Sequence, residues 1–209
     1  MKPSSVSWES HITTRITFFL RSIKMKPEHF NIPGTTHALA FSCYRNQKFL
    51  NNDRTRKYLA DSINAAHIKH NFYIIAWVFM PNHVHLIIHP RDENYSISKI
   101  LHAIKMPAGK KAITYLKRRN PFILKFMETG SEPPRWRFWQ NGGGYDRNIR
   151  NEIELLQTIN YIHDNPVRKG LVQKQEDWKW SSAKEWLTGE KGIIEIDRLA
   201  VGFSNVKLP

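Results

Sequence analysis

Two apolar runs separated by a turn signal constrain the fold of this chain more than any other feature. Residues 74–79 are entirely apolar, residues 84–88 are apolar apart from one histidine, and Pro81-Asn82 lies between the runs. Short apolar runs on either side of such a turn predict a β-hairpin. The chain should therefore contain a sheet that includes this hairpin.

Two histidines, His83 and His85, lie at the start of the second run, spaced two residues apart. Side chains alternate between the faces of a strand, so both imidazoles should stand on the same face. Two neutral imidazoles placed side by side can hold a divalent metal. The alternative is a pair of polar residues on a half-exposed face of the hairpin, and the spacing alone leaves both interpretations open.

The charge of the chain favours a polyanionic partner. Its 209 residues include 32 Lys and Arg against 18 Asp and Glu, a formal net charge of +14. Nucleic acid is the first candidate, and an anionic membrane surface is the alternative. No stretch is long enough to span a membrane. The single cysteine, Cys43, excludes an intramolecular disulfide and a Cys-rich zinc site, and it fits a reducing cytoplasm.

The pattern of apolar residues and breakers predicts one domain over residues 34–190, between an N-terminal extension (1–33) and a C-terminal tail (191–209). In chain order, the predicted elements are a strand over 35–44, a helix from Asn51 or Asn52 to Lys69, the hairpin, a helix from about Ser96, a strand over 135–139, a helix over 151–164 and a short strand near 193–196. Pro107 should kink or break the second helix, and Pro166 should end the third. This order favours an α+β sandwich with a largely antiparallel sheet.

Two basic stretches are candidates for contact with a polyanion. Residues 105–119 hold six basic residues and no acidic one, and residues 135–139 alternate basic and aromatic side chains. The first stretch is either a solvated face or a phosphate-contacting face, and the second either stacks on bases or alternates between core and rim. The candidate DNA contacts are Lys110, Lys111, Arg118, Arg135 and Arg137. Gly142-Gly143-Gly144 lacks the spacing of a nucleotide-binding loop and indicates a turn or a close backbone approach.

The helix over 151–164 carries a tyrosine away from its apolar stripe. At about 100° per residue, Tyr161 lies about 150° from the direction of the apolar residues. Asn165 follows Tyr161 by one helical turn, so both side chains can reach one point in space. The amide oxygen of Asn165 is a plausible third ligand, beside two imidazoles, for Mg²⁺ or Mn²⁺. The alternative is an ordinary exposed tyrosine.

These residue types suit one reaction on DNA. A tyrosine hydroxyl can attack a phosphodiester and leave a 5′-phosphotyrosine link with a free 3′-OH, and a metal can offset the charge that builds on the phosphate. The covalent link conserves the energy of the phosphodiester, so strand transfer needs no ATP.

With these residues in view, the chain resembles the HUH single-tyrosine transposases, and among them the REP-associated tyrosine transposases. The matching stretches are residues 34–44, 78–86, 138–148, 161–172 and 177–182. The resemblance implies the HUH endonuclease fold, a ferredoxin- or RRM-like sheet with helices on one face. It also implies that His83 and His85 are metal ligands, that Tyr161 is the nucleophile and that Asn165 stands where the family has its third ligand.

The implied partner is single-stranded DNA with a short hairpin, such as a palindromic repeat, bound by a monomer or a homodimer in the cytoplasm at the nucleoid. Three alternatives remain. A non-catalytic hairpin-binding relic would keep the fold without the reaction, and a hydrolytic nuclease would need the two histidines but not Tyr161. An RRM-type RNA binder is disfavoured because the RNP1 pattern is missing.

Overall fold

The computed structural model describes residues 31–133 and 135–198, and these contain a four-stranded antiparallel sheet with the strand order β2-β3-β1-β4. The strands are β1 Thr36–Ser42, β2 Phe72–Phe79, β3 His83–Pro90 and β4 Tyr145–Ile149. The predicted hairpin is β2 and β3, joined at Pro81-Asn82. This confirms the predicted α+β class and its antiparallel sheet.

The three longer helices begin where short polar side chains accept hydrogen bonds from the first turn. The helices are α1 Asp53–Lys69, α2 Ile97–Arg119, α3 Glu152–His163, α4 Asn165–Arg168 and α5 Ala183–Thr188. Asn52, Ser96 and Asn151 each accept a hydrogen bond from a backbone N–H in the first turn of α1, α2 and α3. These caps satisfy donors that a helix cannot pair internally, which confirms the predicted starts of the three helices.

Helices cover both faces of the sheet, whereas the family resemblance implied helices on one face only. Leu39 and Leu86 belong to the core that α1 and α2 cover, while Ala38 and Ile87 belong to a second core. That second core is closed by the apolar stripe of α3, including Ile159. An amphipathic helix must bury its stripe against something, and α3 uses the sheet face that α1 and α2 leave free.

The second helix runs through Pro107 without a break, so of the predicted kink or break the break was wrong. Proline in a helix interior removes one hydrogen bond and costs about 3 kcal/mol. Here the buried stripe continues on both sides of the proline, with Leu101 and Ile104 before it and Ala112 after it. Burial of that stripe keeps the helix continuous.

The predicted strand over residues 135–139 was wrong, and the fourth strand is instead β4. Consecutive Phe138 and Trp139 are both buried in the same core, which the alternation of a strand does not allow. Trp139 lies against Gly109 of α2, and its indole N–H donates to the carbonyl of Lys105 at 2.8 Å. The basic and aromatic alternation therefore marks a loop that is anchored on α2.

The predicted strand near residues 193–196 was also wrong, because these residues have no strand pairing. Ile194 is fully buried, and its carbonyl accepts a hydrogen bond from the indole of Trp77 at 3.0 Å. The backbone N–H of Ile74 donates to the carboxylate of Asp197. The start of the tail therefore packs against β2 by side-chain contacts and by one backbone hydrogen bond, from Asp197 N–H to the carbonyl of Ile74 at 2.7 Å.

Several expectations concern segments at the ends of the chain. Residues 1–30 of the predicted extension and residues 199–209 of the predicted tail lie outside the described residues. Within residues 31–133 and 135–198, no helix is long and apolar enough to cross a membrane. Cys43 is buried just after β1, and burial raises the pKa of its thiol to about 12, so it packs as a small core residue.

Candidate active site

The two histidines stand together at the start of β3. His83 pairs across the sheet with Ser42, and His85 pairs with Ala40. Their ring centroids are 4.9 Å apart. Both side chains lie on the face of the sheet that α3 covers, because they alternate with Val84 and Leu86, which point into the opposite core. The spacing predicted this shared face.

Burial keeps both imidazoles neutral. Desolvation, with a smaller contribution from Lys169, lowers the pKa of His83 to about 4. Desolvation also lowers the pKa of His85 to about 3, with smaller contributions from His83 and Arg168. Near neutral pH each ring therefore has a nitrogen lone pair free of a proton, which is the form that binds a metal.

Asn82 orients one of these rings. Its Oδ1 lies 2.8 Å from His83 Nδ1. If Nδ1 carries the proton and donates to this oxygen, the tautomer leaves the Nε2 lone pair free. A hydrogen bond of this kind, on the ring nitrogen away from the metal, is usual for metal-binding histidines. Asn82 was not among the predicted site residues, although its position next to His83 in the turn could have indicated it.

Tyr161 lies beside the histidine pair. Its ring centroid is 6.5 Å from that of His85, and the two rings meet edge to face at 87°. The side chain is 44% exposed, while Ile159 and Ile162 on the same helix are buried. The prediction that Tyr161 lies off the apolar stripe is confirmed, and the fold brings this hydroxyl-bearing ring to the two imidazoles.

Arg168 of α4 also contacts the tyrosine. Its guanidinium carbon is 4.2 Å from the centroid of the Tyr161 ring, a cation–π contact. Its Nη2 donates to the carbonyl oxygen of Tyr161 at 3.2 Å and to Oδ1 of Asn165 at 2.9 Å. Sequence reasoning missed this residue. The available signal was its spacing of seven residues, two helical turns, from Tyr161.

Asn165 lies at the junction of α3 and α4, where Pro166 occupies the first turn of α4 and needs no N–H partner. Its Nδ2 is within 3.2 Å and 3.4 Å of the carbonyl oxygens of Tyr161 and Ile162. Its Oδ1 accepts from Arg168, and a carbonyl oxygen has a second lone pair for another partner. The role of Asn165 as a third metal ligand stays a prediction.

The donor set around the histidines limits what a third ligand can be. Among the described residues, no group of three or more His, Cys, Asp or Glu side chains is arranged to hold a metal. Within the described part of the chain, a third protein ligand beside His83 and His85 would be of another chemical class, and the amide of Asn165 is such a group. Two neutral imidazoles and an amide oxygen suit a divalent ion.

Two contacts fix α3 over the sheet. Arg147 of β4 forms an ion pair with Glu154 at 3.1 Å and donates to the hydroxyl of Thr158 at 3.2 Å. At the other end of the helix, fully buried His163 has its Nε2 2.9 Å from the hydroxyl of Ser182. Tyr161 is therefore carried by a helix that is held at both ends.

Three of the predicted DNA contacts lie together, on the side of the molecule opposite the histidines. Lys110, Lys111 and Arg118 line a groove between α1 and α2. The same groove also includes two further arginines and two tyrosines, Arg54, Arg119, Tyr58 and Tyr115, and it has no acidic residue. Among the described residues none of its five cations forms an ion pair.

The other two predicted contacts lie outside this groove. Arg137 lines an adjoining groove that shares Lys110 with the first and extends to Gly142 and Gly143. Arg135 is exposed and lines neither groove. All five of these DNA-contact assignments stay predictions.

Comparison with known proteins assigns the family. Residues 34–165 match the model of the family described as Transposase IS200 like. The chain belongs to this family. The match ends at Asn165, so it spans β1, the histidine pair, α3 and the candidate tyrosine. Membership of a transposase family makes the chain a DNA-processing enzyme.

Two known proteins are similar to this IS200-like chain, one in sequence and one in structure. A Haemophilus influenzae protein, provisionally named a REP-associated tyrosine transposase, is 29% identical over 141 residues, which cover 62% of this chain and 73% of that protein. A solved structure of a REP-associated tyrosine transposase bound to a REP hairpin matches with a TM-score of 0.59 and 22% identity, over 83% of this chain and 92% of that one. The second likeness shows a shared fold.

Proposed function

We propose that this protein cleaves and rejoins single-stranded DNA with Tyr161 as the nucleophile. The observation that carries the proposal is the edge-to-face placement of the exposed Tyr161 ring beside His85, which itself adjoins His83. A hydroxyl-bearing ring on a helix fixed at both ends, next to two neutral imidazoles, is the arrangement that a tyrosine transesterase requires. Membership of a transposase family supports the same reaction class.

The proposed step exchanges one phosphate ester for another. Tyr161 Oη forms a bond to phosphorus, and the bond from phosphorus to the 3′ oxygen of the preceding nucleotide breaks. The phenolic proton passes to solvent, and the 3′ oxygen takes up a proton. The product is a 5′-phosphotyrosine with a free 3′-OH, and attack by another 3′-OH reverses the step and joins a new strand.

His83 and His85, with Asn165 as the third donor, would hold Mg²⁺ or Mn²⁺ in this proposal. A bound divalent ion supplies charge that offsets the negative charge building on the phosphate. Arg168 contributes from the chain itself, because its guanidinium lies against the Tyr161 ring and fixes the direction of that side chain. Its positive charge also favours the approach of a phosphate.

The proposed substrate is DNA that combines a hairpin with unpaired strand. The relative whose structure has been solved is bound to a REP hairpin. The groove between α1 and α2 is lined by five cations and by no acidic residue. We infer that the phosphates of the paired stem contact this groove through Lys110, Lys111 and Arg118. Arg135 and Arg137 would then contact the unpaired DNA strand near the adjoining groove.

A denaturing gel tests the reaction. Wild type should form a slowly migrating protein–DNA adduct with labelled hairpin DNA and Mn²⁺, and Tyr161→Phe should form none. Binding by Tyr161→Phe should stay within about 1 kcal/mol of wild type, since one exposed hydroxyl contributes little. Tyr145→Phe, which removes another exposed hydroxyl, is the matched control and should form the adduct.

Three outcomes would contradict the assignment. Cleavage without an adduct would indicate a hydrolytic nuclease. An adduct formed by Tyr161→Phe would mean that another residue is the nucleophile. Binding with neither cleavage nor adduct, across a panel of hairpins, would indicate a DNA-binding relic.

Metal binding is tested separately by titration calorimetry with Mn²⁺ on the DNA-free protein. His85→Ala should abolish the binding heat. His89→Ala is the matched control, because His89 lies on the same strand and, by alternation, on the same face, with its Nδ1 3.0 Å from the Thr36 hydroxyl. Equal loss in both variants, or in neither, would contradict the assigned ligands.

A further inference from the structure

We propose that Tyr145 is a stacking platform for an unpaired nucleobase of the strand whose phosphate lies at Tyr161. This inference rests on the proposed function and adds a binding residue that the reaction itself does not require. It would make the first residue of β4 part of the DNA-binding face.

The register of the sheet places Tyr145 in one row with the histidine site. Tyr145 pairs with Ala40 of β1, and Ala40 pairs on its other side with His85. Ile149, four residues along β4, packs in the core closed by α3, so alternation puts Tyr145 on that same face. Neighbouring strands lie about 4.8 Å apart, so Tyr145 is about 10 Å from His85 along the row.

Ala40 is the residue that separates Tyr145 from His85 in this row of the sheet. Ala40 contributes only a methyl group, and α3 covers the part of this face around Ala38 and Ile149 instead. The ring of Tyr145 is 48% exposed. Within the described part of the chain, its side chain makes no hydrogen bond and no ring contact. Its π face is therefore available to a ligand that reaches the histidines.

The position of Tyr145 is fixed by the glycine before it. Gly144 has φ +83°, and a Cβ there would lie 2.2 Å from the carbonyl oxygen of Ala40, so the backbone approaches β1 as closely as a glycine allows. The ammonium of Lys105 donates to the carbonyl of Gly142 at 2.6 Å, which ties down the preceding loop. Because residues 142–144 have no side chains, they leave the approach to the Tyr145 ring open.

An aromatic ring in this place suits an unpaired base. Every base has a π face, so stacking on a tyrosine tolerates any sequence. A base must be unpaired to lie flat on the ring. This requirement agrees with a reaction on single-stranded DNA. The neighbouring Arg147 is already engaged by Glu154 and Thr158, so Tyr145 is the side chain of β4 that remains to meet DNA on this face.

The test measures binding without cleavage. The probe is a labelled DNA hairpin with short thymine arms at both ends, and its affinity is measured by fluorescence anisotropy in EDTA with Tyr161→Phe as the parent protein. Adding Tyr145→Ala or Tyr145→Leu should weaken binding by about five- to hundredfold, the range found for one stacked base. Tyr145→Phe keeps the ring and should stay within about twofold.

Two controls separate stacking from general damage. Phe122→Ala removes an aromatic side chain that is 67% exposed on the turn after α2 and should leave affinity unchanged. A hairpin without arms should bind equally to all variants, because it offers no unpaired base beyond its loop. Circular dichroism checks that each variant is folded.

The outcomes distinguish this inference from the proposed function. Unchanged binding of the armed hairpin by Tyr145→Ala and Tyr145→Leu would overturn the platform, even if Tyr161 forms its adduct. A loss of the same size with the armless hairpin would also overturn it. Failure of the parent protein to bind any hairpin would overturn the proposed function, and the platform with it.

Discussion

At the scale of single residues, burial sets the chemistry of the candidate site. His83 and His85 are held neutral by desolvation, and His83 is oriented by the amide of Asn82. The Tyr161 ring contacts both His85 and the guanidinium of Arg168. Each contact restricts one side chain that the proposed reaction must present in a single orientation.

Burial of His163 predicts a loss of stability in mild acid. Desolvation lowers the pKa of His163 to about 3, whereas an unfolded histidine titrates near 6.5. The unfolded state therefore binds more protons below about pH 6.5, and stability falls as the pH drops toward 3. Between pH 7 and pH 5 this one residue should cost about 2 kcal/mol.

Urea unfolding at pH 7 and pH 5 measures this loss, with His163→Gln as the comparison. The variant has no group to protonate, so its unfolding free energy should change less between the two pH values, by about that amount. An identical pH dependence in wild type and variant would show that His163 is not the group responsible.

Local periodicity in the sequence predicts some of the site residues and misses those that depend on how one helix follows another. His83, His85 and Tyr161 follow from alternation on a strand and from the angle around a helix. Arg168 reaches Tyr161 only because α4 begins directly after α3 at the Asn165-Pro166 junction. The sequence predicts a helix that ends at Pro166. A contact from Arg168, beyond that end, to Tyr161 is therefore not predicted.

At the scale of elements, the attachment of β4 to β1 decides the shape of the sheet face that carries the histidines. β4 begins immediately after Gly144, whose φ of +83° and contact with the Ala40 carbonyl leave no room for a side chain. Arg147 of β4 in turn holds α3. A displacement at Gly144 should therefore spread from β4 to the helix that carries Tyr161.

Two glycines in this loop make a matched pair for testing that attachment. Gly144→Ala places a Cβ 2.2 Å from the Ala40 carbonyl oxygen, whereas Gly142→Ala, at φ +90°, meets nothing within 4 Å. Both variants carry the cost of a positive φ, and only the first adds a clash. Gly144→Ala should be less stable than Gly142→Ala by about 2 kcal/mol in urea unfolding. Equal stability would mean that the close approach is not required.

Elements defined by their own caps were predictable, and those defined by tertiary contacts were not. Asn52, Ser96 and Asn151 cap their helices as the sequence indicates. Residues 135–139 have a strand-like pattern, but Trp139 is drawn against α2 at Gly109. No local rule reports that a glycine on one helix receives a tryptophan from a loop thirty residues later.

At the scale of the whole molecule, the sheet separates two surfaces with different chemistry. One face carries the histidines and α3, the helix that bears Tyr161, and the other carries α1 and α2 with the basic groove between them. In the proposed function the groove holds paired stem while the other face cleaves unpaired strand. Binding and chemistry should then respond to different substitutions.

Salt dependence tests the role of the groove. Lys111→Gln with Arg118→Gln removes two groove cations, and the slope of log affinity against log salt should fall by about 2, close to 0.9 for each lost phosphate contact. Lys69→Gln with Lys174→Gln removes the same charge at exposed positions outside the groove and is the control. Equal changes in slope for the two double variants would show that only net charge matters.

The most direct test of the central claim identifies the residue that carries the DNA. The adduct formed by wild type with hairpin DNA and Mn²⁺ would be trapped, digested with nuclease and protease, and analysed by tandem mass spectrometry. We expect a nucleotide 5′-phosphate on the peptide that contains Tyr161, at the phenolic oxygen. The same modification on another residue, or cleaved DNA with no modified peptide, would contradict the assignment of Tyr161 as the nucleophile.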